Sequence, residues 1–250
     1  MFFMRLRRGA KWAFIVLIFV FAFTFLFAGV GGGGGGSNVI QELLGMRGGG
    51  GDAVKSAEKV VKKNPHDTGA LQRLAQAYIA KERRGDAINT YKQYLKLKPN
   101  DLSVLPQLAN LQQELTALRW YRYSGLQSQL TVIYGPLSSD PLQTIAGTDT
   151  LLSTYSSSLT TKLSEAYSSY VGAAKSWEDT FKRYVKAVPK TNTLLRANVE
   201  YQLANAAVNA GDYSVAIKAY KTFLKLTPKS PLAAEVKKTL AELLKANSSS

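Results

Sequence analysis

The 250-residue chain contains no cysteine and a single histidine, His66. The first absence excludes disulfides, thiolate metal sites and thiolate nucleophiles, and the second excludes a histidine metal cluster. His66 stands beside Asp67 in an "NPHD" turn, and two residues in a loop do not make a catalytic dyad. A phosphate-cradling glycine loop followed by Lys and Ser or Thr is also missing. The "GGGGGG" at 31–36 follows an apolar run instead of a strand and has no basic partner. Glu178 and Asp179 are adjacent, so on a helix their carboxylates diverge and cannot work as acid and base on one substrate. No enzyme activity, no metal and no cofactor is expected.

Acidic residues are scarce as well, 17 against 32 Lys and Arg, for a formal charge of +15. Such a surplus favours anionic lipid, nucleic acid or acidic proteins. It is spread thinly, and the groups Lys55, Lys59, Lys62, Lys63 and Lys182, Arg183, Lys186, Lys190 read as solvated outer faces of helices. The stretch "LRWYRYSG" (118–125) interleaves Arg119 and Arg122 with Trp120, Tyr121 and Tyr123. Aromatics can stack on bases while arginines meet phosphates. The membrane topology implied by the first thirty residues keeps the domain away from nucleic acid, so these rings are expected to pack at the end of a long helix.

Eight of the ten Phe residues lie in those first thirty positions. There Arg5, Arg7, Arg8 and Lys11 precede an uncharged run from Trp12 to Val30. At about 1.5 Å of rise per residue the run reaches about 28 Å, the thickness of a bilayer's hydrocarbon. Alternating Phe19, Phe21, Phe23, Phe25 and Phe27 suit a strand, but an isolated strand in lipid leaves its backbone groups unpaired, so a helix is expected. The basic residues on the amino side place residues 1–11 in the cytoplasm, residues 12–30 across the cytoplasmic membrane as a single span, and the remainder on its outer side. A signal peptide cut after Ala28 is the competing reading; the run exceeds an ordinary signal core, and Leu26 and Phe27 are bulky before that site.

Residues 31–51 are a Gly-rich tether, spanning on the order of 25 Å as a coil. From residue 52 the chain can bury one core of ordinary domain size. Two passages there repeat each other: "AINTYKQYLKLKPND" from Ala87 and "AIKAYKTFLKLTPKS" from Ala216. Prolines close similar basic, apolar stretches at Pro65, Pro99, Pro189 and Pro228, the first two 34 residues apart. Leu71, Leu74, Ala75 and Tyr78 recur at i, i+3, i+4 and i+7, one helical stripe, and Ala87, Tyr91 and Tyr94 form another. The second copy carries Leu203, Ala204, Ala207, then Ala216, Tyr220, Phe223 and Pro228.

These residues closely resemble the tetratricopeptide repeat family, in which a helix-turn-helix unit puts small residues where helices cross and large ones where units stack. The resemblance implies an all-α solenoid with clear repeats at 68–101 and 197–230, a lone second helix over 53–65, and a polar-backed closing helix over 231–247. In that closing helix Ser230 is the expected N-cap, Pro231 the first helical residue, and Val236, Leu240 and Leu243 the buried face. "GDY" at 211–213 matches the family's inter-helix turn, whereas the first copy has Glu82 in place of the glycine and Gly85 three residues later, which predicts a longer or strained turn. Asp101 opens a further first helix. Pro99 and Pro189 are 90 residues apart, two periods plus 22, so an insertion at about 119–157 is expected to interrupt the stack, with a loop over "YGPLSSDPLQTIAGTDT" between long helices.

In the family the first helices of the units line a concave groove for peptides or helices. The corresponding residues here are Gln72, Gln76, Ile79, Asn110, Tyr201, Asn205, Val208 and Asn209. Asn205 matches one residue of a carboxylate-capturing subtype, but Tyr201 stands where that subtype has Lys, so that activity is not carried over. The expectation is a membrane-anchored adaptor that holds a protein or peptide in the cell envelope, chaperone-like or secretion-associated. A structural bridge from the basic surface to anionic lipid or cell-wall polymer is the alternative.

Overall fold

A computed structural model describes residues 50–137 and 148–248. The expected cytoplasmic tail, span and nearly all of the tether lie outside the described residues. The chain divides into units 1–49 and 50–250, and all the described helices belong to the second. Among the described residues there are eight helices and no strand: α1 (Gly50–Lys63), α2 (Thr68–Ala80), α3 (Arg84–Leu97), α4 (Leu105–Leu137), α5 (Thr148–Ala187), α6 (Thr193–Ala210), α7 (Tyr213–Leu226) and α8 (Ala233–Ser248). None of them is long and apolar enough to cross a membrane. Packing runs between helices consecutive in the chain, as in an array of hairpins.

The starts of these helices are written in short polar side chains. Asp67 accepts from Gly69 N (2.8 Å) and Ala70 N (3.1 Å) to cap α2, Asn192 accepts from Leu195 N (3.2 Å) to cap α6, and Asp212 accepts from Val215 N (3.1 Å) to cap α7. The ends of α1, α3, α5 and α7 are set by Pro65, Pro99, Pro189 and Pro228, which cannot continue a helix, whereas α2 stops at Lys81 and α6 at Gly211. Asp101 opens a turn, accepting from Ser103 N at 2.8 Å, and α4 itself begins only at Leu105. Likewise Pro231 sits in a turn, and α8 starts at Ala233. At the other end α1 takes in Gly50, shortening the expected tether.

The crossings are built from small residues. Ala75 and Ala87 are fully buried between α2 and α3, and Ala204 and Ala216 between α6 and α7. Aromatic residues fill the space between units: Tyr91, Tyr94, Phe181, Tyr184, Tyr220 and Phe223 are all buried in one continuous core. Tyr91 donates to Gln107 Oε1 (2.6 Å) and Tyr94 to Asp101 Oδ2 (2.6 Å), tying α3 to the segment after it. Burial pushes the hydroxyls of Tyr91 and Tyr220 up to about 12.

The middle of the chain has the long helices expected around the loop. The 90 positions from Pro99 to Pro189 hold one hairpin of 33 residues in α4 and 40 in α5. Compared with α2 at 13 residues and α3 at 14, α4 gains about 30 Å and α5 about 39 Å of rise. The expected loop at 134–150 shrinks accordingly, since α4 continues through Gly135 and Pro136 to Leu137; residues 138–147 lie outside the described residues. Contacts rise along α4 as they fall along α5, Gln112 to Ser176 and Arg119 to Ser169, so the pair is antiparallel. Leu159, Ala166, Tyr170 and Ala173 form a narrow buried seam along the extension, with the 7, 4 and 3 residue spacing of a coiled coil.

The turn from α2 to α3, residues 81–83, is one residue longer than the turn from α6 to α7, residues 211–212, and it is strained. Gly211 takes φ 76° and Glu82 φ 55°, the one non-glycine residue with positive φ among those described. In both turns the next N–H reaches back five residues, Asp212 to Ala207 O and Arg83 to Tyr78 O, each at 2.9 Å. A side chain in this left-handed conformation costs on the order of 1 kcal/mol. Glu82→Gly is therefore expected to stabilise the protein by roughly 1 kcal/mol, and Gly211→Ala to destabilise it by a similar amount, in urea titrations.

Candidate functional site

The first helices α2, α4 and α6 each turn a stripe into the core, and α2 and α4 leave flanking residues uncovered. On α2 the core stripe is Leu71, Leu74, Ala75 and Tyr78, leaving Gln72 half-buried and Gln76 and Ile79 exposed. These three occupy positions i, i+4 and i+7 and so share a face. On α4 Asn110 is exposed beside buried Ala109. The carboxamides of Gln76 and Asn110 therefore face water on successive first helices, able to donate to and accept from a peptide backbone.

On α6 the expected residues are half-buried and used internally. The Tyr201 ring packs 5.4 Å from Phe223 and 6.2 Å from Tyr220. Tyr220 donates to Asn205 Oδ1 at 2.6 Å, Asn209 Nδ2 donates to the Asn205 carbonyl at 2.8 Å, and Tyr170 donates to Asn209 Oδ1 at 3.1 Å. Val208 packs against the core. Tyr170 belongs to the elongated α5, so the length of that helix decides how much of the α6 amides remains for a partner.

The aromatic residues of "LRWYRYSG" pack as rings, though midway along α4 and not at its end. Trp120 lies 5.2 Å from Tyr170 and 5.6 Å from Tyr123, and Tyr123 lies 5.3 Å from Tyr167. This ladder joins α4 to α5 through tilted ring pairs. Tyr121 is outside it and 72% exposed.

One expected solvated cation is committed to ion pairs. Lys55, Lys59, Lys62, Lys63, Arg183, Lys186 and Lys190 are exposed or half-exposed, but Lys182 is half-buried and ion-paired with Glu178, with Asp212 Oδ2 at 3.7 Å. Burial pushes the Glu178 carboxyl above its ordinary range, against the pull of Lys182. Burial acts upward on Asp212 too, but the Val215 N–H, the Ser214 hydroxyl and Lys182 together hold it below 3.8. Lys182 is raised by its bond to Glu178. Nothing in the sequence singles out Glu178 except its place: it stands eleven residues before Pro189, where Ile88 and Ile217 stand before Pro99 and Pro228.

Two stretches match models of the tetratricopeptide repeat, residues 50–114 and residues 201–247. They cover α1 to the first turns of α4, and most of α6 to α8, so the chain carries tetratricopeptide repeats at both ends of the array. No curated protein matches the chain. Among solved structures, a thermophilic TPR protein of Thermus thermophilus is similar at 18% identity over 83% of this chain and 96% of that one, with a TM-score of 0.28. At that score the likeness says nothing of partners.

Removing the Lys182 charge strands a buried carboxylate, whereas neutralising Glu178 strands only a half-exposed ammonium. Lys182→Met is expected to cost roughly 1 to 3 kcal/mol at neutral pH, and Glu178→Gln less. Because Asp101 and Asp212 sit below 3.8 in the fold, their stabilisation is present above that pH and fades as pH falls through their depressed values. Denaturant midpoints are expected to drop across this acid window, and Asp212→Asn to flatten the drop.

Proposed function

We propose that the chain is a membrane-anchored adaptor that holds a protein or peptide partner against the face carrying Gln72, Gln76, Ile79 and Asn110, with the α6 residues Tyr201, Asn205, Val208 and Asn209 at its far edge. The observation that carries this reading is the pairing of tetratricopeptide repeats with uncommitted carboxamides on two successive first helices. Amides grip a peptide backbone without reading much of its sequence, which suits a partner presented as an extended segment. The basic residues before the apolar run at 12–30 support a cytoplasmic N-terminus and a domain on the outer side of the cytoplasmic membrane. There the partner is an envelope protein, in assembly or emerging from secretion. Crosslinking in cells followed by mass spectrometry tests this: envelope proteins are expected well above background, and Gln76→Ala with Asn110→Ala is expected to cut their recovery severalfold with unchanged stability. Recovery of no envelope protein overturns the reading, and so does protection of the domain from protease added outside the cytoplasmic membrane.

The exposed Lys55, Lys59, Lys62 and Lys63 and the +15 charge favour a second reading, a bridge to anionic lipid or cell-wall polymer. It predicts binding to anionic vesicles that is lost between about 50 and about 500 mM salt. Vesicle binding indifferent to salt excludes it.

A further inference from the structure

At the root of the long hairpin, α3, α4 and α5 enclose a cleft of about 250 Å³. Its charge is of one sign. Lys92 from α3 and Arg119 from α4 line it, and no carboxylate does. Asp86 and Glu114, the acids on those helices, are held by Arg83 at 2.7 Å and Arg84 at 3.0 Å. The two cations spend little of their hydrogen-bonding capacity inside the protein. Lys92 Nζ donates once, to Ser176 Oγ at 2.8 Å, and an Arg119 terminal N–H donates once, to the Ser169 carbonyl at 2.8 Å. An ammonium has three donors and a guanidinium five.

The floor of the cleft is half-satisfied. Gln112 is 1% exposed and stands 34 residues after Tyr78, where the first unit has an aromatic ring. Its Nε2 donates to Ser176 Oγ at 2.9 Å, while its Oε1 is buried without a partner. Buried polar atoms of this kind are uncommon and cost stability; this one is an acceptor that an anionic head cannot pair with, so the attraction for an anion comes from Lys92 and Arg119 and not from Gln112.

The shape adds two points. Gly85 lines the cleft from the first turn of α3, whose N-cap Arg83 supplies no side-chain acceptor, so a partial positive helix end adjoins the two cations. Gly172 lines it from the interior of α5, where glycine costs about 1 kcal/mol against alanine. A Cβ at either glycine would meet nothing within 4 Å, so neither is required by packing. Ile88, Leu115 and Ala173 supply an apolar wall.

We propose that this cleft binds a small oxyanion with a short apolar body, its charged head between Lys92 and Arg119 and its body on Ile88, Leu115 and Ala173. The site shares α4 with the adaptor face but uses other residues of it, Gln112, Leu115 and Arg119 in place of Asn110. Calorimetric titration of the full chain in detergent tests it, with acetate, butyrate and inorganic phosphate as probes. Butyrate is expected to bind about fifteenfold tighter than acetate, about fourfold for each buried CH₂, and tighter than phosphate. Lys92→Gln and Arg119→Gln are expected to weaken butyrate at least fivefold each. Gly172→Leu, placed in open space on a helix, is expected to abolish binding while raising Tm, which separates loss of the site from loss of the fold. Acetyl-glutamate amide distinguishes the source of the head: tighter binding than butyrate assigns it to a glutamate of a docked protein, weaker binding to a free acid. Equal affinities for acetate, butyrate and phosphate, or butyrate binding unchanged in Gly172→Leu, overturn the proposal.

Discussion

Everything in this array rests on two aromatic side chains placed eight and five residues before Pro99, Pro189 and Pro228. Tyr91 and Tyr94, Phe181 and Tyr184, and Tyr220 and Phe223 all lie in the same continuous core. A hairpin of two short helices cannot bury enough apolar surface alone, so each unit depends on large side chains that reach its neighbour. The hydroxyls of three of these rings take defined acceptors, Gln107 and Asp101 on the next segment for Tyr91 and Tyr94, and Asn205 within the last unit for Tyr220. The hydroxyls make the stacking directional, since a ring displaced from its slot would leave a buried donor unpaired. The alanines at the crossings serve the same end, by letting the paired helices approach until the rings close the space between units.

The middle unit keeps this aromatic pair and gives up the rest. Trp177 stands twelve residues before Pro189, where Ala87 and Ala216 stand before Pro99 and Pro228, and Glu178 comes after it in place of isoleucine. Both are buried. A crossing that holds an indole cannot be as close as one that holds a methyl group, and a buried carboxylate requires a cation nearby. Lys182 supplies it from the same helix and also reaches Asp212, the cap of α7, so the departure in one unit is absorbed by the turn of the next. Above this crossing the two helices continue as a coiled pair, and their elongation places Tyr170 against Asn209 of α6 and opens the cationic cleft at the hairpin root.

Two surfaces with different chemistry result. The first-helix face offers neutral amides and one exposed aliphatic, suited to a backbone. The cleft offers cations and an apolar wall, suited to a small anion. They are built from different side chains of the array, so occupation of one leaves the other's groups in place.

The sequence by itself determined the units at the two ends, because there periodicity, turn chemistry and proline stops all point the same way. Leu71, Ala75 and Tyr78 lie at helical spacing, Asp67 and Asp212 can cap only the helix on their C-terminal side, and proline ends a helix at these positions. It also showed that Glu82 occupies a position made for glycine, since that is a local backbone requirement. Only the tertiary structure decided the middle. The run through Leu159, Ala166 and Tyr170 shows helical spacing in the sequence, but the stretch at 134–150, rich in Ser, Thr, Gly and Pro, reads as a loop when taken alone, and its two ends, 134–137 and 148–150, belong to α4 and α5. The tie from Lys182 to Asp212, the internal use of Asn205 and Asn209, and the meeting of Lys92, Gln112, Arg119 and Ser176 likewise join residues from different helices. No spacing within one helix encodes such meetings, because they depend on how far two helices stand apart, and that distance is set by the side chains between them.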